Sequence, residues 1–368
     1  MNSLNITQKL EPSEHIGLGV WLLVTGALNG ATNLVGLLVF WRFPRLLCTP
    51  SAIPDVAMFV ADVGVACLHP FSGFAALKNN WVWGFYGCQL YSFVGFFFGN
   101  FQCLCVPFIA YDRYVLACKP FEERARLRTK GRYAKILLAL LLMTTFWGVM
   151  PLVGWASYSR TPPQISCTLD WTRSDVSYVS YTTSLCLLVF FAPLLVAAYY
   201  YRRVWVYVSE GRAHDLHWAA DGCVCLTSLG CLLTTYVAFS GYGALALWPF
   251  IADPRSIPKY LNMLPPPMAK LAGVFNPLFY LRLNPRLWAC ARRMVGLSYD
   301  REAMRVDRRE EKLYVDSPRS SRRATPRAPA STAEETIQLG DRTGKKASVQ
   351  AGPDDQQLIR EASNDTDN

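Results

Sequence analysis

Internal repeats, glycine-rich phosphate loops and the cysteine–histidine spacings of zinc sites are all absent from this 368-residue sequence. Their absence excludes repeat solenoids, loop-type nucleotide enzymes and structural zinc modules. Charge is scarce as well: charged residues make up 17% of the chain, against 52% hydrophobic and 13% aromatic. That is too apolar for a soluble chain carrying a long polar tail. A cleaved leader is not expected, because residues 1–14 are polar and the first apolar run is too long for an h-region.

What is there is seven apolar stretches of membrane length, at roughly 15–41, 51–77, 85–117, 134–157, 177–206, 218–249 and 258–283. Each approaches or exceeds the roughly 20 residues that a helix needs to cross a bilayer. The expected fold is an all-α membrane protein, a seven-transmembrane helix bundle over 15–283. Basic residues set its orientation. The loops after the first, third and fifth spans hold Arg42 and Arg45, a run from Lys119 to Lys135, and Arg202, Arg203 and Arg212. The opposite loops hold only Lys78, Arg160, Arg173, Arg255 and Lys259. Residues 1–14 are therefore expected on the extracellular or lumenal side and the C-terminus in the cytoplasm, in a plasma or intracellular membrane. The net charge of +10 has the same origin, so no nucleic acid partner is needed to explain it. Asn5 heads a glycosylation sequon that fits an outer N-terminus.

Most of the 12 cysteines lie inside spans, where they read as small buried hydrophobes. Only Cys88 and Cys167 fall on the outer side, and one bridge between them is expected. Residues 284–298 read as a short amphipathic basic helix on the inner leaflet, with Cys290 a candidate for palmitoylation. From 299 to 368 the chain is polar and poor in aromatics, a disordered cytoplasmic tail by composition. It holds a weak basophilic kinase match at Arg322–Thr325. His214 and His217 could suggest a metal pair, but no convincing further ligand accompanies them, so a solvated loop is expected there.

The stretch "PPPMAKLAGVFNPLFY" (265–280) sets Lys270 in an apolar run with no acid to pair with it. A charged lysine at a span centre costs about 2.5–3.5 kcal/mol on insertion scales. Snorkelling to an interface is the bland explanation, and the apolar residues on both sides argue against it. Desolvation favours the uncharged amine of a buried lysine, and an uncharged amine condenses with aldehydes.

Asp112-Arg113-Tyr114 ends the third span, and Asn276-Pro277-Leu278-Phe279-Tyr280 ends the seventh. With the Cys88 and Cys167 pair, and with Asn33, Asp62, Trp147 and Pro193 in their spans, residues 15–296 resemble a rhodopsin-class seven-helix receptor. Within that class the sequence is identified as a member of the opsin family, because Lys270 stands six residues before Asn276, as the retinal lysine of opsins does. The segments 81–91, 154–181 and 250–270 are most similar to the peropsins and retinal photoisomerase opsins. The resemblance implies covalent retinal on Lys270 as a Schiff base, all-trans in the dark, with Tyr91, Tyr242, Phe239 and the lid segment 164–169 around it. It implies a light-driven isomerase, or a light-activated receptor in which Asp112, Arg113, Tyr114, Asn276, Pro277 and Tyr280 form the switch. A heterotrimeric G protein would then be the partner, with kinase and arrestin acting at the tail. A receptor for a diffusible ligand remains a remote third reading that leaves Lys270 unexplained.

Three departures from the family pattern bear on chemistry. The two usual counterion positions hold Tyr91 and Thr161, leaving Asp170 as the remaining candidate acid. A Schiff base without a carboxylate is expected to be largely neutral at pH 7 and to absorb in the violet or ultraviolet. Phe239 and Gly241 stand where the family has tryptophan and proline, so the sixth helix is expected to lack its usual kink. The third inner loop, 209–221, is short and lacks the basic run usual at the inner end of the sixth helix.

Overall fold

A computed structural model describes residues 10–301 apart from 45, 47, 48, 211–217, 254, 255 and 284, and apart from the side chains of 218–228, 231, 259, 260, 280, 282, 283 and 285. Asn5, His214, His217, the Tyr280 side chain, Arg322–Thr325 and the tail beyond residue 301 lie outside the described residues.

The first span is α1 (Pro12–Arg42), opened by Pro12 and by a capping box in which Glu11 and Glu14 satisfy each other's end of the first turn. The second is split into α2 (Ala52–Ala66) and α3 (His69–Leu77). Pro70 has no N–H to continue the ladder, and the break falls just before it. The third, α4 (Gly84–Cys118), is followed by a short inner helix, α5 (Phe121–Leu127), that composition does not signal. The fourth, α6 (Lys130–Val149), is capped by Thr129 and closes in a 3₁₀ turn at Pro151. The fifth joins α7 (Val176–Leu185) to α8 (Ala192–Ser209) through a π-helical segment, Cys186–Phe191, lying just ahead of Pro193. A proline that removes a donor from the ladder accounts for the wider turn there. The sixth, α9 (Trp218–Leu247), has no interior proline and runs as one helix, as Gly241 in place of a proline leads one to expect.

The seventh differs from its expected span. A short α10 (Lys259–Met263) precedes it, and α11 (Pro265–Leu283) begins only at Pro265. Lys270 therefore lies early in the helix rather than at its middle, yet it is only 7% exposed, because the bundle and the outer loop cover it. Helix α12 (Pro285–Met294) follows, with Arg292 and Arg293 in its last turn.

Five of the helical runs meet the length and hydropathy needed to cross a bilayer among the described residues, and α9 and α11 complete the seven. Apolar side chains such as Leu195, Trp205 and Val153 stand exposed on the outside of the bundle, a surface that suits lipid. Inside, polar groups hold the helices in register. Pro277 cannot donate to the Gly273 carbonyl, and the Asn33 amide of α1 donates to that oxygen instead at 2.8 Å. The approach is close because Gly273 has no side chain: a Cβ there would meet the Asn29 amide at 2.5 Å.

The outer loop after α6 folds as a hairpin of β1 (Tyr158–Arg160) and β2 (Cys167–Leu169), antiparallel, with Ser159 opposite Thr168. Cys167 is bridged to Cys88 at the start of α4, their Cα atoms 5.4 Å apart. The bridge pins β2 over the bundle, and all three of its residues are buried.

Candidate functional site: a lysine in an aromatic cavity

Lys270 projects from α11 with its Nζ 5.6 Å from the centre of the Tyr91 ring on α4. Tyr91 is fixed from two sides. Its ring meets Trp81 edge-on at 5.0 Å, and its hydroxyl accepts a hydrogen bond from Ser166 Oγ of the lid at 3.3 Å. Beyond Tyr91 a cavity of about 150 Å³ opens between α4, the fifth, sixth and seventh spans and the lid. Lys270, Tyr91, Tyr242 and Phe239 all line it, as do Ser166, Cys167, Thr168 and Leu169 of the segment expected to form the lid. Trp171 adds a wall: it lies 6.0 Å from the Tyr242 ring and donates to Asn262 Oδ1 at 3.2 Å, tying the lid to the chain that leads into α11. Gly99 makes room for Phe239, whose ring would lie 3.2 Å from a Cβ at that position.

Among the described lining residues there is no carboxylate. Asp170, the candidate acid, does not line the cavity; it is engaged with Thr172, accepting from its backbone N–H at 3.3 Å and from its hydroxyl at 2.5 Å. It sits in the turn after β2, where a short acid bonds its own backbone two residues on. Thr161 is buried and donates to the Ser166 carbonyl at 3.1 Å, so it braces the lid. The site is thus one buried amine opening on an apolar, aromatic cavity, a donor set suited to an elongated apolar aldehyde.

At the other end of α4, Asp112 and Arg113, two of the residues expected to form a switch, sit in a buried ion network. Arg113 contacts Asp112 at 3.0 Å, as the motif leads one to expect, but also holds Asp55 of α2 through both carboxylate oxygens at 2.8 and 3.1 Å. Asp112 accepts further from Tyr133 at 2.6 Å, Ser51 at 2.7 Å and Arg128 at 3.1 Å. Tyr114 packs against Tyr200 with ring centres 5.3 Å apart. Midway, Asn276 donates to Asp62 at 3.3 Å, Gln102 donates to the same carboxylate, and Thr234 donates to Asn276 at 3.3 Å.

Residues 32–280 match the family model described as the 7 transmembrane receptor (rhodopsin family). The chain belongs to that family. Its relatives place it among the opsins. It is 30% identical over 281 residues to the visual pigment-like receptor peropsin of Homo sapiens, covering 74% of this chain and 82% of that protein. It is 28% identical to opsin-5 of Mus musculus over 297 residues, 77% of each. The crystal structure of squid rhodopsin has the same fold, with a TM-score of 0.74 at 19% identity, over 87% of this chain and 94% of that one.

Cys290 is 2% exposed and packs in the inner core with Val39, Phe40 and Leu287, so its thiol faces the bundle rather than the bilayer. Burial also pushes that thiol's pKa up. Both facts argue against palmitoylation. Asp55, His69 and Trp171 carry no motif, yet Asp55 grips Arg113, His69 is fully buried beside α1, and Trp171 walls the cavity. An ionisable side chain inside an apolar run is the sequence signal that would have marked the first two.

Proposed function

We propose that this opsin is a photoreceptor that holds retinal on Lys270 as a Schiff base, all-trans in the dark, and isomerises it on absorbing light. The observation that carries the reading is Lys270 itself: a buried amine without a carboxylate among the described residues of its aromatic cavity. Bound retinal supplies the photochemistry, a light-driven turn about one double bond. Lys270 anchors the ligand, Tyr91 and the lid exclude water from the amine, and Tyr242, Phe239 and Trp171 set the shape that decides which bond turns. The N-terminus belongs outside, residues 284–298 on the inner leaflet and 299–368 in the cytoplasm.

The test is expression with all-trans or 11-cis retinal, spectra before and after light, and extraction of the retinal isomers. A violet or ultraviolet band is expected at neutral pH, lost in Lys270→Ala, with net isomer conversion after illumination. A green-absorbing pigment at pH 7, or one that survives Lys270→Ala, would overturn the reading.

The ordered network around Arg113 favours a second function in the same molecule, light-activated coupling to a heterotrimeric G protein, with kinase and arrestin acting at the tail. Light-dependent nucleotide exchange on purified G proteins tests it.

A further inference from the structure

His69 opens α3, the outer half of the second span, and is fully buried. Its Nδ1 lies 3.1 Å from the Val65 carbonyl, so the ring hydrogen sits on Nδ1 and Nε2 is left as an acceptor. That Nε2 is buried and has no hydrogen-bond partner, an arrangement that costs free energy unless something comes to it.

The helices place this acceptor in the layer of Lys270. Gly26 of α1 is what admits the imidazole: a Cβ there would fall 2.4 Å from the Cβ of His69. One turn further along α1, Asn29 meets Gly273, and Gly273 is one turn further along α11 from Lys270. One turn the other way, Leu22, Ser72 and Lys270 share the wall of a small cavity of about 10 Å³. His69 and Lys270 are within electrostatic range of each other. Lys270 from α11 and Tyr91 from α4 are the titratable groups facing this layer, and α1 presents Gly26, Leu22 and Asn29. The described residues lining the two cavities beside Lys270 include no acid.

We propose that His69 is the positioning partner of Lys270: its Nε2 lone pair accepts the N–H of the Lys270 nitrogen, directly or across one water, where other pigments set a carboxylate. A neutral imidazole supports a charged nitrogen by one hydrogen bond but supplies no opposite charge, so the support is weaker than an acid would give. The spectral part of the test rests on the retinal reading above; the chemical part does not.

Two measurements decide it. In the ligand-free protein, reductive methylation with formaldehyde and borane is followed at Lys270 by peptide mass spectrometry across pH. Removing the acceptor in His69→Leu leaves the protonated amine only its contact with Tyr91, so methylation at pH 7 rises about tenfold, while His69→Gln, which keeps an acceptor, stays nearer wild type. In the retinal-loaded protein, His69→Leu moves the acid transition to the visible form down by about one pH unit or more, and His69→Asp moves it up enough to give a visible band at pH 7. Thermal melting and an intact Cys88–Cys167 bridge establish that each variant is folded. Unchanged methylation and unchanged titration in folded His69→Leu and His69→Asp overturn the proposal. If wild type forms no Lys270-dependent pigment, the retinal reading falls, and the methylation profile still decides the role of His69.

Discussion

Arg113 is held by two acids from two helices, and that doubles its restraint. Asp112 is the neighbour that the motif provides and accepts from Nη1; Asp55 reaches across from α2 and accepts from Nη2 with both carboxylate oxygens. A hydrogen bond to a charged group is worth about 1.5–3 kcal/mol net, enough to bias a two-state element by tenfold or more. Asp55→Asn keeps the shape and removes the charge, and is expected to raise nucleotide exchange in the dark several-fold if the receptor couples. Equal dark activity in the variant and wild type would show that Asp55 serves stability alone. The motif could be read from one segment, whereas the Asp55 partnership could not, because it joins residues 58 apart in the chain.

Between elements, the lid depends on two local devices. The first is the Cys88–Cys167 bridge, which closes 79 residues of separation and sets β2 over the cavity. Loss of a native disulfide costs about 2–5 kcal/mol in small secreted domains; here Cys88→Ser is expected to lower the melting temperature and to speed ligand loss, both measurable in detergent. The second is Asp175, whose carboxylate accepts from the Tyr178 N–H at 3.1 Å and so caps α7. The hydrogen bond from Arg173, together with the cap, holds the Asp175 pKa below the usual carboxylate value. Its folded-state pKa is depressed, so its contribution is present above the unfolded value and is lost as pH falls through the lowered one. Asp175→Ala should therefore destabilise by about 0.5–2 kcal/mol at neutral pH, and the difference should vanish in acid. Cysteine placement made the bridge legible. The start of α11 at Pro265 was not: hydropathy runs on through 258–264, and only the break after Met263 separates α10.

For the molecule as a whole, the seven spans and the burial of Lys270, though not its place early in α11, were legible because a bilayer demands long apolar runs and because spacing along one helix fixes a face. The cavity's other walls were only partly so: Tyr91, Phe239 and Tyr242 follow from family spacing, while Trp171 arrives through the packing of a loop, and His69, packed against Gly26, carries no motif either. Pro277 adds a mechanical consequence. Because it frees the Gly273 carbonyl, the last stretch of α11 before Asn276 lacks one of its own rungs, and Asn33 of α1 closes the gap from outside. The helix that carries Lys270 is therefore a jointed rod, with the joint latched to a neighbouring helix. A strain applied at Lys270 meets a compliant point about 4–5 Å along the axis, one turn before Asn276. Whether it is absorbed there or passed on to the Asn276–Asp62 contact depends on how firmly a single amide holds one oxygen.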